Sequence, residues 1–157
     1  MGVSPYIRTL RRSIGHDLLL LPAVAVLPFD EEGRVLLVRQ SDDGLWATIG
    51  GSVEPDESPH EAAVRETAEE TGLVVELDGI RAALGGRRLR ARYPNGDECS
   101  YVATVFSARV TGGVAKADGD EVLELAWFPP GALPVGEMND LTRAVLEGAG
   151  LLPPPPG

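Results

Sequence analysis

The sequence has little cysteine and few basic residues, and each shortage excludes a class of protein. Cys99 is the single cysteine among 157 residues, which excludes an internal disulfide framework and argues against a cysteine-based zinc site. One cysteine also fits a reducing compartment, so we expect a cytoplasmic protein. The 14 basic residues are outnumbered by 24 acidic ones, which gives a formal net charge of −10. A chain with this charge repels nucleic acid, and we expect no nucleic-acid partner.

Long apolar segments are also missing. An apolar run at residues 18–27 follows three arginines and loosely imitates a secretory signal. Pro22 interrupts the run, which is shorter than the roughly 20 apolar residues that a membrane-spanning helix needs. We therefore interpret it as a buried β-strand and expect neither a targeting segment nor a membrane partner.

The residues that are present indicate one globular domain. Apolar residues make up 43% of the chain and charged residues 24%, which is typical of a folded protein. A chain of this length can bury a full core, but it is short for two domains. We place the domain at residues 1–152 and a proline-rich tail at residues 153–157.

Apolar periodicity and turn residues predict an α/β fold. Helices are predicted over residues 4–13, 59–71 and 139–147. Strands are predicted over residues 18–29, 34–40, 73–77, 87–93, 100–110 and 123–128. Residues 41–46 are interpreted as a loop, and Asn95-Gly96 predicts a tight hairpin turn. Helices and strands in this order indicate a mixed sheet with helices packed on its faces.

The central helix has clear signals at both ends and an unusual acidic content. Ser58 can cap its N-terminus, and Gly72 suits a left-handed stop. Glu66, Glu69 and Glu70 stand at positions i, i+3 and i+4, so they share one face of the helix. The other side is expected to pack on the sheet and carries Val64, Thr67, Ala68 and Thr71.

Two interpretations of the acidic face are open at this stage. The first is a solvated surface, the usual place for clustered glutamates. The second is a divalent-cation site, because oxygen ligands without histidine or cysteine select hard ions such as Mg²⁺ or Mn²⁺. Mg²⁺ also shares phosphate oxygens with its ligands, so a nucleotide-like substrate would be its natural partner.

A longer pattern around these glutamates resembles the Nudix box. Gly51 is followed by five residues, Glu57, seven residues and the run Arg65-Glu66-Thr67-Ala68-Glu69-Glu70-Thr71-Gly72-Leu73. The family pattern is G-x5-E-x7-R-E-U-x-E-E-x-G-U, with U apolar, and every charged and glycine position matches. Two departures are Thr67, which replaces an apolar residue, and Thr48-Ile49 ahead of the paired glycines. We expect Thr67 to affect stability rather than activity.

The resemblance implies a Nudix fold, an α/β/α sandwich around a mixed β-sheet, and a set of site residues. Glu66 and Glu70 would bind the essential Mg²⁺ or Mn²⁺, and Glu69 would serve a further ion or the attacking water. The Gly51 region would offer a backbone carbonyl to the metal. Arg65 would hold Glu57 and a neighbouring glutamate in orientation.

Other residues of the proposed site carry open alternatives. Family members differ in their general base, and both Glu69 and Glu121 are candidates here. Arg39 and Arg88 could contact substrate phosphates, although a solvated strand end or a charged sheet edge is an equal interpretation. Arg88 would share one strand face with Arg90 and Arg92.

The predicted activity is hydrolysis of a phosphoanhydride by a metal-dependent Nudix pyrophosphohydrolase. The favoured substrate is a nucleoside diphosphate linked to another moiety, similar to ADP-ribose or a nucleotide sugar. The alternatives are a nucleoside triphosphate pyrophosphohydrolase and a non-catalytic domain that senses a nucleotide. The resemblance leaves the oligomeric state open, with a homodimer as one possibility because many relatives dimerise.

Overall fold

The computed structural model describes residues 3–157 and contains three α-helices and eight strands in that range. The helices are α1 (Pro5–Ile14), α2 (Pro59–Thr71) and α3 (Asp140–Gly148). The strands are β1 (Leu19–Phe29), β2 (Val35–Gln40), β3 (Trp46–Ala47), β4 (Ile49–Ser52), β5 (Leu73–Leu84), β6 (Arg90–Arg92), β7 (Glu98–Gly113) and β8 (Val122–Phe128). None of the helices in these residues is long and apolar enough to cross a membrane.

All the strands belong to one mixed sheet. Its main path runs β3-β2-β1-β7-β5, while β4 pairs with β1, β6 with β7 and β8 with β2. Strands β1 and β7 are parallel, and the other pairs are antiparallel. The predicted mixed sheet is therefore confirmed.

Helices cover both faces of this sheet. On one face, which we call the α2 face, Ala62 and Ala63 of α2 pack with Val24 and Phe106 in one buried cluster. On the opposite face, the α3 face, side chains of α3 pack with Leu37 and its neighbours in a second cluster. The predicted α/β/α arrangement is confirmed, and α2 lies directly over the centre of the sheet.

Three strand predictions need correction. Residues 87–93 are not one strand, because Arg87–Leu89 form a 3-10 turn before the short strand β6. That turn buries Leu89 against Ala103 and Ala144, which outweighs an extended conformation there. Strand β5 extends beyond residue 77, with register shifts that leave Asp78 and Arg81 without partners in β7. Strands β3 and β4 were not predicted, since they are short and β4 contains two glycines.

Candidate functional site

Helix α2 carries two of its glutamates between itself and the sheet. Its predicted bounds are confirmed: the Ser58 hydroxyl accepts a hydrogen bond from the Glu61 amide, and Gly72 ends the helix with φ 73°. Glu66 is only 1% exposed and Glu70 only 7%. The predicted orientation of the helix is therefore wrong in part, because Ala68 is exposed while these two carboxylates face the interior.

The space for the carboxylates comes from the paired glycines of β4. Gly50 and Gly51 lie opposite Ala25 and Val24 in the β1–β4 ladder. A Cβ atom on Gly50 would overlap the carbonyl oxygen of Val24, so no larger residue fits this approach. The Gly50 amide donates to Glu70 Oε2 at 3.3 Å. The glycine pair therefore brings strand backbone, including the predicted Gly51 position, up to the acidic side of α2.

Arg65 organises the carboxylates around it. Its guanidinium makes a two-pronged pair with Glu57, with Nε 2.7 Å from Oε2 and a terminal nitrogen 2.9 Å from Oε1. The other terminal nitrogen donates to Glu66 Oε1 at 3.0 Å and to Glu69 Oε2 at 3.3 Å. A further bond at 3.2 Å reaches the Ser52 carbonyl at the end of β4. Paired charged hydrogen bonds fix both geometry and orientation, so Arg65 ties the loop before α2 to the helix and the sheet.

The electrostatics of these groups differ with their surroundings. Hydrogen bonds from Arg65 lower the pKa of Glu57 below its ordinary value. Burial raises the pKa of Glu66 to about 7, against the opposing pull of Arg65. Burial also raises the pKa of Glu70 to about 8, and the neighbouring charge of Glu66 adds to the rise. Two buried carboxylates thus lie close enough to repel each other.

One oxygen of the Glu66 carboxylate lacks a hydrogen-bond partner among the described residues. This atom, Oε2, is buried. A buried polar atom in this state is costly unless a ligand satisfies it. A hard cation fits this donor set, because carboxylate oxygens without histidine or cysteine suit Mg²⁺ or Mn²⁺.

The protein itself supplies few ligands to such an ion. Across residues 3–157, no three side chains from histidine, cysteine, aspartate and glutamate gather into a metal-holding group. Glu69, predicted as a further ligand or base, has a side chain that is 53% exposed and paired with Arg65. Mg²⁺ keeps several waters and binds through one or two carboxylates plus substrate phosphates, so a two-carboxylate site suits it.

The predicted phosphate contacts lie elsewhere. Arg39 is on the α3 face of β2, where its Nε donates to the Gly44 carbonyl at 2.9 Å and it pairs with Glu124. Arg88 belongs to the 3-10 turn and pairs with Glu147 of α3. Neither arginine is beside Glu66 or Glu70. Arg88 also lies outside strand β6, so it does not share a strand face with Arg90 and Arg92.

The acidic loop before β8 approaches the end of α2. Glu121, the predicted alternative base, is half-buried, and its carbonyl accepts a hydrogen bond from the Ser41 amide at 2.9 Å. Asp118 is the loop residue whose charge reaches Glu70, adding to the effects of burial and Glu66 on the pKa of that group. Both residues belong to the run Asp118-Gly119-Asp120-Glu121, from which the sequence predicts Glu121 as a candidate base.

Comparisons with known proteins agree with this arrangement. A family model for the NUDIX domain matches residues 19–147. A putative 8-oxo-dGTP diphosphatase of Bacillus subtilis is 39% identical over 120 residues, covering 76% of this chain and 74% of the relative. An ADP-ribose pyrophosphatase of Methanocaldococcus jannaschii is 36% identical over 123 residues, covering 76% of this chain and 69% of the relative.

A solved structure gives the same result for the fold. The MutT protein from Methanosarcina mazei Go1 superposes with a TM-score of 0.68 at 25% identity, covering 85% of this chain and 95% of that one. The fold is an α/β/α sandwich whose central helix carries two buried glutamates. The chain belongs to the Nudix family. The predicted enzyme class, a Nudix pyrophosphohydrolase, is confirmed together with the family and the fold.

Proposed function

We propose that this enzyme hydrolyses the phosphoanhydride bond of a nucleoside diphosphate linked to another group, such as ADP-ribose or a nucleotide sugar. The observation that carries the proposal is the buried pair Glu66 and Glu70, with the unpartnered Oε2 of Glu66 and the guanidinium of Arg65 beside them. The Methanocaldococcus jannaschii relative, named an ADP-ribose pyrophosphatase, supports the substrate class.

The site residues divide into those that hold a cation and those that position them. Glu66 and Glu70 would hold Mg²⁺ or Mn²⁺, with the Gly51 carbonyl as a backbone ligand. The bound ion would neutralise the diphosphate and make a water acidic enough to attack phosphorus. Arg65 keeps one oxygen of Glu66 fixed and leaves the other without a protein partner.

Glu57 supports the site from the loop ahead of α2. Its Oε1 accepts a hydrogen bond from the Glu54 amide at 3.1 Å, and both of its oxygens accept from Arg65. Glu57 therefore anchors Arg65 to the loop and positions the groups that contact substrate. For the proton of the attacking water, Glu69 and Glu121 remain the two proposed bases.

A second candidate function is hydrolysis of a nucleoside triphosphate to a monophosphate and pyrophosphate. The Bacillus subtilis relative favours it, since that protein is named a putative 8-oxo-dGTP diphosphatase. Both reactions break a phosphoanhydride at the same kind of cation site, and they differ in the group carried by the diphosphate.

A substrate panel separates these functions. The full chain is incubated with ADP-ribose, nucleotide sugars, 8-oxo-dGTP and ordinary triphosphates, each with Mg²⁺ or Mn²⁺, and the products are identified by mass. We expect AMP and ribose 5-phosphate from ADP-ribose. Pyrophosphate release from triphosphates alone would favour the second candidate. Tight binding of a nucleotide without any turnover would contradict both and favour a nucleotide-sensing domain.

We also propose a homodimer that forms through the uncovered part of the α2 face. Leu20, Ile80 and Val102 are 69%, 67% and 53% exposed. The strand register places Val102 opposite Pro22 of β1, two residues beyond Leu20, and Ile80 opposite Phe106 on the neighbouring strand. These apolar side chains therefore form a strip across β1, β7 and β5 that α2 leaves open. Exposed apolar surfaces of this kind commonly mark interfaces.

The end of the strip favours a second copy as its partner. On the same face, Glu98 is 3.9 Å from Arg90 and 4.0 Å from Arg92, so the end carries both signs of charge. Such a surface can pair with itself about a two-fold axis. Sedimentation velocity tests this: V102E should give a monomer, and V114E, which charges an isolated exposed side chain, should leave the dimer intact. A monomeric wild type would overturn the proposal.

We propose a cytoplasmic location because the cysteine of this chain is unpaired. Cys99 is a free, buried thiol in strand β7. An unpaired thiol suits a reducing environment, which supports a cytoplasmic location. Fractionation of the native host, followed by immunodetection of the protein, would test it.

A further inference from the structure

Asp56, in the connection between β4 and α2, has an unusual backbone conformation for its residue type. Its φ is 67°, and it is the one non-glycine residue with a positive φ among residues 3–157. Side chains clash with the backbone in this left-handed region, which is why glycine usually occupies it. The Asp56 carboxylate is exposed and makes no hydrogen bond or ion pair with the residues that the structure describes. The conformation therefore comes from the backbone around the residue and not from a contact of its side chain.

A four-residue turn imposes this conformation. The Glu57 amide donates to the Glu54 carbonyl at 3.1 Å, which closes a β-turn over residues 54–57. Asp56 is the third residue of the turn, where a positive φ is the mark of a type II turn. Pro55 is the second residue, where the fixed φ of proline suits the same type. The turn joins the end of β4 to the start of α2, so its shape sets how the chain enters the helix.

The turn also places the carboxylate that holds Arg65. Glu57 Oε1 accepts from the Glu54 amide at 3.1 Å, so the first and last residues of the turn are joined twice. Arg65 donates to both oxygens of Glu57, at 2.7 and 2.9 Å. Arg65 also donates to Oε1 of Glu66 at 3.0 Å, and Oε2 of Glu66 is the buried oxygen without a partner among the described residues. An unbroken series of contacts therefore runs from the turn to a proposed cation ligand.

We propose that Asp56 is a positioning residue: its left-handed conformation keeps Glu57 on Arg65 and so leaves Oε2 of Glu66 free for the cation. The inference rests on the proposed function, because it takes Glu66 as a cation ligand. A side chain that disfavours positive φ would turn over the peptide before residue 56 and change the direction in which the chain leaves the turn. Hydrogen bonds of 2.7 and 2.9 Å do not survive a displacement of about 1 Å. Arg65 would then lose its anchor and bond the second oxygen of Glu66, where it competes with the cation.

Substitutions of Asp56 can test its conformational preference and its charge separately. D56V introduces a β-branched side chain, which strongly disfavours positive φ, whereas D56G and D56N accept this conformation and lack the charge. E31V is the matched control, because Glu31 is also exposed in a turn but its φ is not positive. Mn²⁺ binding to the substrate-free full chain is measured by electron paramagnetic resonance, and thermal unfolding of each variant is recorded alongside.

We expect D56V to weaken Mn²⁺ binding by about tenfold, the low end of the range for losing an outer-shell partner of a metal ligand. D56G, D56N and E31V should bind as the wild type does, because each keeps the turn. A change in stability alone would not change the Mn²⁺ dissociation constant of the folded fraction, so this constant separates positioning from a merely structural role. Unchanged binding by folded D56V would overturn the inference. Equal weakening in D56V and D56N would overturn it as well, because the lost carboxylate would then be the cause.

A double variant and a measurement on the wild type test the route through Glu57. E57Q weakens the ion pair that the turn supports, so D56V/E57Q should bind Mn²⁺ no more weakly than E57Q alone. Because coupling is reciprocal, saturating Mn²⁺ should slow hydrogen exchange at the Glu54 and Glu57 amides of the wild type by about the same factor that D56V loses. Exchange at the Gly33 amide, which bonds within the turn between β1 and β2, should stay unchanged. Mass spectrometry measures this exchange and decides the question even where D56V does not fold. Unchanged exchange at residues 54 and 57, or full additivity in the double variant, would contradict the route.

The same titrations separate this inference from the proposed function. Absence of Mn²⁺ binding by the wild type would refute the cation site itself. Wild-type binding that E70Q abolishes, but that D56V leaves unchanged, would keep the proposed function and refute only the role of Asp56.

Discussion

Replacing Glu70 by glutamine separates the cation-binding role of this side chain from its structural role. Glu70 is 7% exposed and accepts the Gly50 amide through one oxygen. A glutamine side chain has nearly the same shape and can present its carbonyl oxygen to that amide. E70Q therefore removes the charge and keeps the hydrogen bond, so we expect a folded protein with an impaired cation site.

Without a cation, the wild type and E70Q should differ in melting temperature by an amount that depends on pH. The pKa of Glu70 is raised from 4.5 to about 8, so the folded state holds this proton more tightly than the unfolded chain does. Ionisation of Glu70 therefore lowers the free energy of unfolding as pH rises from about 4.5 towards about 8, by on the order of a few kcal/mol in total. E70Q lacks this loss. Its melting temperature in chelator should equal the wild-type value near pH 5 and exceed it near pH 9.

Added Mg²⁺ should raise the melting temperature of the wild type but not that of E70Q, so the difference between the two proteins at high pH should become smaller. At ten times its dissociation constant, a ligand that binds only the folded state contributes about 1.4 kcal/mol. For a domain of this size, that corresponds to a rise in melting temperature of about 3–6 °C.

Scanning calorimetry at several Mg²⁺ concentrations measures the effect, with D120N as a surface-charge control that should behave as the wild type. An equal Mg²⁺-induced rise in E70Q and the wild type would refute the reasoning, and so would no rise in the wild type.

Two further variants test the parts that hold the site together. R65K keeps the positive charge but cannot form the two-pronged pair with Glu57. Turnover, measured by steady-state kinetics, should therefore fall by about tenfold or more, while the melting temperature measured by calorimetry should change little. Unchanged turnover would contradict the positioning role of Arg65. G50A should destabilise the fold by about 2 kcal/mol or more in urea titrations, because its Cβ would overlap the Val24 carbonyl. G131A is the control and should not destabilise the fold, because Gly131 has open space around it. Equal stability of these two variants would argue against the close approach of β4 to β1.

Local signals in the sequence predicted the part of the site that lies within the single helix α2. The cap at Ser58 and the stop at Gly72 are short-range features, and they gave the bounds of α2 correctly. The orientation of the helix depended on its surroundings instead. Glu66 is buried because Arg65 pairs with one of its oxygens and the glycines of β4 leave space, and neither fact appears in helical periodicity.

Contacts between distant segments account for the remaining differences. Arg39 and Arg88 are predicted either as phosphate contacts or as a solvated strand end and a charged sheet edge. The register of β2 and the turn at residues 87–89 place both on the α3 face. The position of the acidic loop beside the end of α2 depends on the hydrogen bond from the Lys116 amide to the Thr71 carbonyl. These pairings join residues far apart in the chain, which patterns in one sequence do not specify.

The central claim is that the buried glutamates of α2 support cation-dependent cleavage of a phosphoanhydride. The most direct measurement is turnover of the best substrate in the panel by the wild type and E70Q, each with Mg²⁺ and with excess chelator. We expect E70Q to lose turnover by orders of magnitude and chelator to abolish turnover in the wild type. Near-normal turnover by folded E70Q, or full wild-type activity in chelator, would contradict the account.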